Sequence, residues 1–141
     1  MKKILLLCLF FIGLSITSEA QTRFGVGGTY FGELGVQGRA KFALTDEITA
    51  MPNVSFYFTD GTVISLDAHA GYNFAEVEDM PIYGIGGLGY WRSSAFGFSA
   101  SSLTLTLGAG IDINENIYAE LFWRNLFDGG SDIGLNVGYY F

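Results

Sequence analysis

The chain reads as an all-β protein, an eight-stranded antiparallel up-and-down transmembrane β-barrel, and three observations predict this. Apolar residues recur at every second position through about eight segments of roughly ten residues, which is the period of a strand and the length a tilted strand needs to cross a bilayer. Within those segments the few charges lie opposite the apolar face, and most other charges lie between segments. Aromatic residues gather at the segment ends, as they do where a surface meets a membrane interface.

Residues 1–20 (MKKILLLCLFFIGLSITSEA) read as an export signal. Lys2 and Lys3 form a basic start, residues 4–14 an apolar core, and Ser18-Glu19-Ala20 a small-residue cleavage pattern. The apolar run is about 11 residues, short of the ~20 that a helical span requires. Residues 21–141 then form one barrel domain. The only cysteine, Cys8, falls in the signal, so no disulfide framework is expected. The whole chain carries −7 and its first twenty residues +1, which leaves −8 on the domain. That balance argues against a nucleic-acid partner.

The strands are expected at 23–32, 34–44, 48–58, 63–74, 82–92, 103–113, 117–126 and 132–141. In the first, Phe24, Val26 and Tyr30 share a face. In the second, Leu34, Val36, Ala40, Phe42 and Leu44 alternate with Gln37, Arg39 and Lys41. The third sets Ile48, Ala50, Val54, Phe56 and Phe58 on one side and contains Pro52, which cannot donate to a ladder. A bulge there, or a strand beginning at Asn53, would accommodate it. The fourth alternates Ile64, Leu66, Ala68, Ala70, Tyr72 and Phe74 with Ser65, Asp67, His69 and Asn73. The fifth is too glycine-rich for its faces to be assigned. The sixth sets Leu103, Leu105, Leu107, Ala109, Ile111 and Ile113 against Thr104, Thr106 and Asp112. The seventh sets Ile117, Ala119, Leu121 and Trp123 against Tyr118, Glu120 and Arg124. The eighth carries Ile133, Leu135, Val137, Tyr139 and Phe141 on one face. Polar turns are expected at 45–47, 60–61, 114–116 and 128–131, and the longest connections at 75–81 and 93–101.

Alternation alone does not distinguish a soluble barrel, apolar inside, from a membrane barrel, apolar outside. Charge does. The domain has five basic and thirteen acidic side chains, and ten of the acids fall at turns. The charges inside strands nearly balance: Arg39, Lys41 and Arg124 against Asp67, Asp112 and Glu120. A closed lumen requires that balance, because an unpaired buried charge is costly. The apolar faces carry no charge on the second, third, fourth, sixth, seventh or eighth strand. Two aromatic girdles are expected, Phe24, Phe42, Tyr72, Phe74, Tyr139 and Phe141 at one rim, and Tyr30, Phe56, Phe58, Trp91 and Trp123 at the other.

With this pattern, the hairpin GAGIDINENIYAELFWR at 108–124 and the closing LNVGYYF, the chain resembles the small OmpA/OmpX-like outer-membrane barrel proteins of Gram-negative bacteria, most of all the short Bacteroidetes type. The resemblance implies an outer-membrane protein, monomeric and surrounded by lipid, inserted by the barrel assembly machinery. It also implies that Leu135, Val137, Tyr139 and Phe141 act as the assembly signal.

No chemistry is evident in the residues. Asp67 and His69 share a strand face, as in the Asp-x-His pair of omptin-type barrel proteases, but they fall mid-strand in a barrel too narrow for a peptide. Position 71 is Gly, so the His-x-Ser of barrel deacylases is absent. One histidine does not make a metal site, and Glu76, Glu78 and Asp79 read as a solvated turn. The glycines of YGIGGLGYW precede no helix, so they do not form a phosphate loop. No cofactor, metal or catalytic residue is therefore expected. The expectation is a polar lumenal network of Arg39, Lys41, Asp67, His69, Asp112, Glu120 and Arg124, in a protein with a structural or surface-interaction role. The alternatives are a narrow ion or small-solute pore and a soluble periplasmic ligand-binding barrel.

Overall fold

The computed structural model describes residues 22–141. Eight strands follow in sequence order around a closed barrel: β1 (Thr22–Phe31), β2 (Glu33–Ala43), β3 (Ile48–Phe58), β4 (Thr62–Val77), β5 (Met80–Ala95), β6 (Phe98–Asp112), β7 (Ile117–Leu126) and β8 (Ser131–Tyr140). Every pairing is antiparallel, and β8 closes on β1 from Gly25↔Tyr140 to Tyr30↔Leu135. The Phe141 amide extends that closure by donating to the Phe24 carbonyl at 2.9 Å. The export signal read at residues 1–20 lies outside the described residues.

Side chains alternate as a two-faced sheet requires. On β3, Thr49, Met51, Asn53, Ser55 and Tyr57 are buried, while Ile48, Val54, Phe56 and Phe58 are exposed. β7 and β8 follow suit: Tyr118, Glu120, Phe122, Arg124, Asn136 and Tyr140 point inward, and Leu121, Trp123, Ile133, Leu135, Val137 and Tyr139 outward. The barrel is thus polar and aromatic within and apolar without, the inverse of a soluble domain.

Three expectations need correction. Residues 75–81 and 93–101 are not long connections. β4, β5 and β6 run 16, 16 and 15 residues, against 10 or 11 for the other strands, and reduce those segments to two-residue turns. Glu78 and Asp79 have φ of 52° and 65°, and Phe96 and Gly97 of 51° and 79°. Positive φ at both central residues is the type I′ arrangement, whose twist matches the flanking strands. Glu and Phe are unusual at its first central position, so neither pair reads as the Asn-Gly or Asp-Gly signal of such a turn. Pro52 lies inside β3 with no bulge. It faces Ala68 of β4 in register, and the β2–β3 ladder is interrupted between Arg39↔Asn53 and Phe42↔Ala50, so its missing donor falls in a gap of the ladder. The bulge lies instead on β4, between Asn73 and Ala75. Trp91 belongs to neither girdle. It points into the lumen, 4.9 Å from the Tyr57 ring and 5.5 Å from the Phe31 ring, centroid to centroid.

Residues 22 and 140 mark the near end of the barrel, with the turns after β2, β4 and β6. The turns after β1, β3, β5 and β7 form the far end. The β5–β6 hairpin reaches past β7 there, since β6 pairs with β7 only from Thr104 onward, while on its other side β4 stays paired with β5 up to Thr62↔Ser94.

Candidate functional site: the charged lumen

Three ion pairs are stacked from the near mouth to the far half of the lumen. At the mouth, Lys41 Nζ lies 2.6 Å from Asp112 Oδ2, both side chains slightly exposed. This pair floors a cup of about 420 Å³ lined by Arg23, Asp46, Asp79 and Glu115 among others. Alternation on β2 puts Arg39 on the same inward face two residues on. There it grips Glu120 of β7 across the barrel, through both guanidinium ends and with both side chains almost wholly buried. Glu120 is also held by the Tyr83 hydroxyl and the Asn136 amide, each donating at 2.9 Å. Thr29 donates in turn to Asn136 Oδ1 at 2.7 Å. Tyr118 lies under the Arg39 guanidinium, 4.3 Å from carbon to ring centroid, and accepts from Gln37 Nε2 at 2.9 Å.

In the far half, Arg124 of β7 meets Asp67 of β4 at 3.1 Å. Its other nitrogens donate to Thr106 Oγ1 (3.2 Å), Tyr57 Oη (3.2 Å) and Ser65 Oγ (3.4 Å). Three rings surround the guanidinium: Phe122, Phe31 and Trp91, at 5.1, 5.4 and 5.9 Å from ring centroid to Cζ. His69 shares a face with Asp67, but the structure joins it to Asn53, whose amide donates to Nδ1 at 3.1 Å. The catalytic geometry that an Asp–His pair would need is not formed. Among the described residues, no three His, Cys, Asp or Glu side chains are placed to hold a metal ion.

The bulk of the plug comes from residues that the sequence reading did not assign to the lumen. Tyr83, Phe122, Trp91, Phe31, Met51 and Ile85 fill it beside Tyr57, Tyr118 and Tyr140. The signal was hidden on β5, where Gly84 and Gly86 sit among the outward residues and Gly87 and Gly89 among the inward ones. Those inward glycines have a role. A Cβ on Gly89 would lie 2.1 Å from Asp67 Oδ1, and one on Gly138 would lie 2.3 Å from Tyr118 Oη. Bare backbone on one wall therefore receives the large side chains of another.

Leu135, Val137 and Tyr139 form the outward row of β8, and Phe141, highly exposed, follows them at the near rim.

A closed, antiparallel eight-stranded barrel with an apolar exterior and a charged, side-chain-filled interior defines the small transmembrane β-barrel class. Solved structures agree on the fold. The N-terminal β-barrel domain of Pseudomonas aeruginosa OprF superposes with a TM-score of 0.69 at 19% identity, over 87% of this chain and 100% of that one. De novo designed transmembrane β-barrels give 0.54 at 13%, over 86% and 95%. Ail, the attachment invasion locus protein of Yersinia pestis, gives 0.50 at 20%, over 88% and 100%. No protein-family model and no curated protein matches the chain.

Proposed function

We propose that this is an integral outer-membrane protein, surrounded by lipid and monomeric, whose lumen is closed by its own side chains. It acts through the surface it presents outside the cell, not through a pore. The observation that carries this reading is the inversion of burial: Arg39, Glu120, Arg124 and Asp67 are buried while Leu34, Leu66, Leu88, Leu103 and Leu121 are exposed. Exposed leucines on every side of a monomer are tolerable only in lipid. Two buried ion-pair layers and a set of aromatic rings occupy the lumen, which supports a filled interior, as the narrow bore of eight strands favours.

With residues 22 and 140, which share the near end, on the periplasmic side, the near-end turns are periplasmic and the far end faces outside. The surface role then falls on the β5–β6 hairpin, whose tip bears Phe96 and Phe98 at 88% and 82% exposure. Exposed aromatic side chains at a hairpin tip are anchors that a partner would bury. No catalytic residue is assigned. Delivery by an export signal at residues 1–20, and recognition of the Leu135, Val137, Tyr139 and Phe141 row by the barrel assembly machinery, complete the reading.

Cell fractionation with heat-modifiable gel mobility tests it. The expected result is a folded, heat-shifted band in the outer-membrane fraction, and a band soluble without detergent would refute it. Single-channel recording in a planar bilayer should show no steady conductance; discrete openings would establish a pore. Labelling of single cysteines on intact cells should reach positions 94 and 130 and spare 115.

A further inference from the structure

The lipid-facing surface carries one charge. On the outward faces of the eight strands, alternation leaves Arg92 of β5 as the single ionised side chain, and it is exposed. It takes part in none of the three ion pairs found among the described residues. The strand register shows what surrounds it. Arg92 pairs with Ile64 on one side and Ser101 on the other. One row toward the far end, Ser94 stands between Thr62 and Ser99. One row the other way, Tyr90 stands between Leu66 and Leu103, and below it Leu88 between Ala68 and Leu105. Going down this face, a row of three hydroxyls gives way to a row with a guanidinium and a hydroxyl, then to a tyrosine between leucines, then to a wholly apolar row.

This sequence of rows reproduces the order of a bilayer leaflet from headgroup to acyl chain. Neighbouring strands lie about 4.8 Å apart and alternate residues along a strand about 6.7 Å apart. One tetrahedral anion can therefore reach Arg92 and at least one of Ser101, Ser94 and Ser99. Guanidinium groups bind phosphate through two parallel N–H donors, and serine hydroxyls supply further donors. The arginine stem can lie along the apolar rows while its head reaches the headgroup level. On the β4 side, Asp60 lies in the turn beyond Thr62, above the guanidinium row.

We propose that Arg92, with Ser94, Ser99 and Ser101, is a site for the phosphate of a membrane-lipid headgroup in the leaflet at the far end of the barrel. Charge complementarity and continuity with the apolar belt both favour a lipid over a soluble anion, because an acyl chain attached to the phosphate would lie against Tyr90, Leu103, Leu88 and Leu105. The inference rests on the lipid-facing reading of the barrel exterior given above.

The test refolds the chain into micelles holding equal amounts of phosphatidic acid and phosphatidylcholine, then counts the lipids retained in native mass spectrometry. Wild type should retain phosphatidic acid in preference to phosphatidylcholine. Arg92→Gln should lower that preference about fivefold, the effect of one surface cation on an anionic lipid. Arg92→Lys should keep an intermediate preference, and Arg23→Gln, at the opposite end, should keep it whole. Excess inorganic phosphate should not displace the lipid. The site is overturned if Arg92→Gln retains phosphatidic acid as wild type does, if Arg23→Gln loses it equally, or if inorganic phosphate strips it. Each variant must show the heat-modifiable band. A wild-type chain without that band would overturn the barrel reading and the site with it, whereas a folded barrel indifferent to phosphatidic acid overturns the site alone.

Discussion

In the near half of the lumen the carboxylate is the saturated partner. Glu120 accepts from both ends of Arg39, from Tyr83 and from Asn136, while Arg39 Nε has no partner. In the far half the guanidinium is the better-satisfied partner. Arg124 donates from all three nitrogens and lies among three rings, while Asp67 Oδ1 has no partner and Thr104 Oγ1 has none either. Two ion pairs with similar burial are thus held by opposite members. The difference teaches that the value of a buried pair lies in the donors and acceptors around it, because its Coulombic gain is largely offset by desolvation.

The sharpest way to break the comparison is to neutralise each acid without changing its shape. Glu120→Gln must turn an NH2 toward donors, whichever way the amide is placed, and leaves Arg39 without a counter-charge. We expect a loss of about 3–5 kcal/mol, read from urea unfolding of the barrel in micelles. Gly89→Ala should come next, at about 1–3 kcal/mol, because its methyl drives Asp67 off Arg124; tryptophan emission should shift as Trp91 repacks. Asp67→Asn should cost less, about 1–2 kcal/mol, since the new NH2 can take the side where no donor stands and offer Thr104 Oγ1 a hydrogen bond. A loss equal to that of Glu120→Gln would show that charge, not hydrogen-bond saturation, sets both. Tyr83→Phe removes one of four donors to Glu120 and should cost about 0.5–1.5 kcal/mol in the same titration. Gly28→Ala, where a Cβ meets nothing within 4 Å, should change stability by no more than about 0.5 kcal/mol.

How much of this was legible in the residues varies from strand to strand. The period of two on the second, third, fourth, sixth, seventh and eighth segments placed each strand, because one wet face and one dry face leave a direct trace in the sequence. β5 left none. Its outward and inward rows both mix glycine with bulky residues, so the lumenal places of Tyr83 and Trp91 were not readable. The extension of β4, β5 and β6 was hidden for a different reason. Outside the hydrocarbon layer a two-stranded hairpin has water on both faces, so alternation is no longer selected there, and the turns at Glu78-Asp79 and Phe96-Gly97 carry Glu and Phe where a type I′ turn favours Asn, Asp or Gly at its first central position.

By itself, the sequence determined the alternation on every strand but β5, the balance of strand-borne charge, and hence which face meets lipid. Each of these is a local or compositional property, set by what a residue's own neighbours along the strand must face. Only the tertiary structure decided which acid meets which base. Arg39 and Glu120 are 81 residues apart, and Arg124 and Asp67 57 apart. Their meeting depends on the stagger at which the closed barrel sets one strand against another across the lumen. Closure also decided which glycines leave room for which rings, since Gly138 matters only because Tyr118, on the neighbouring strand, packs where its side chain would be.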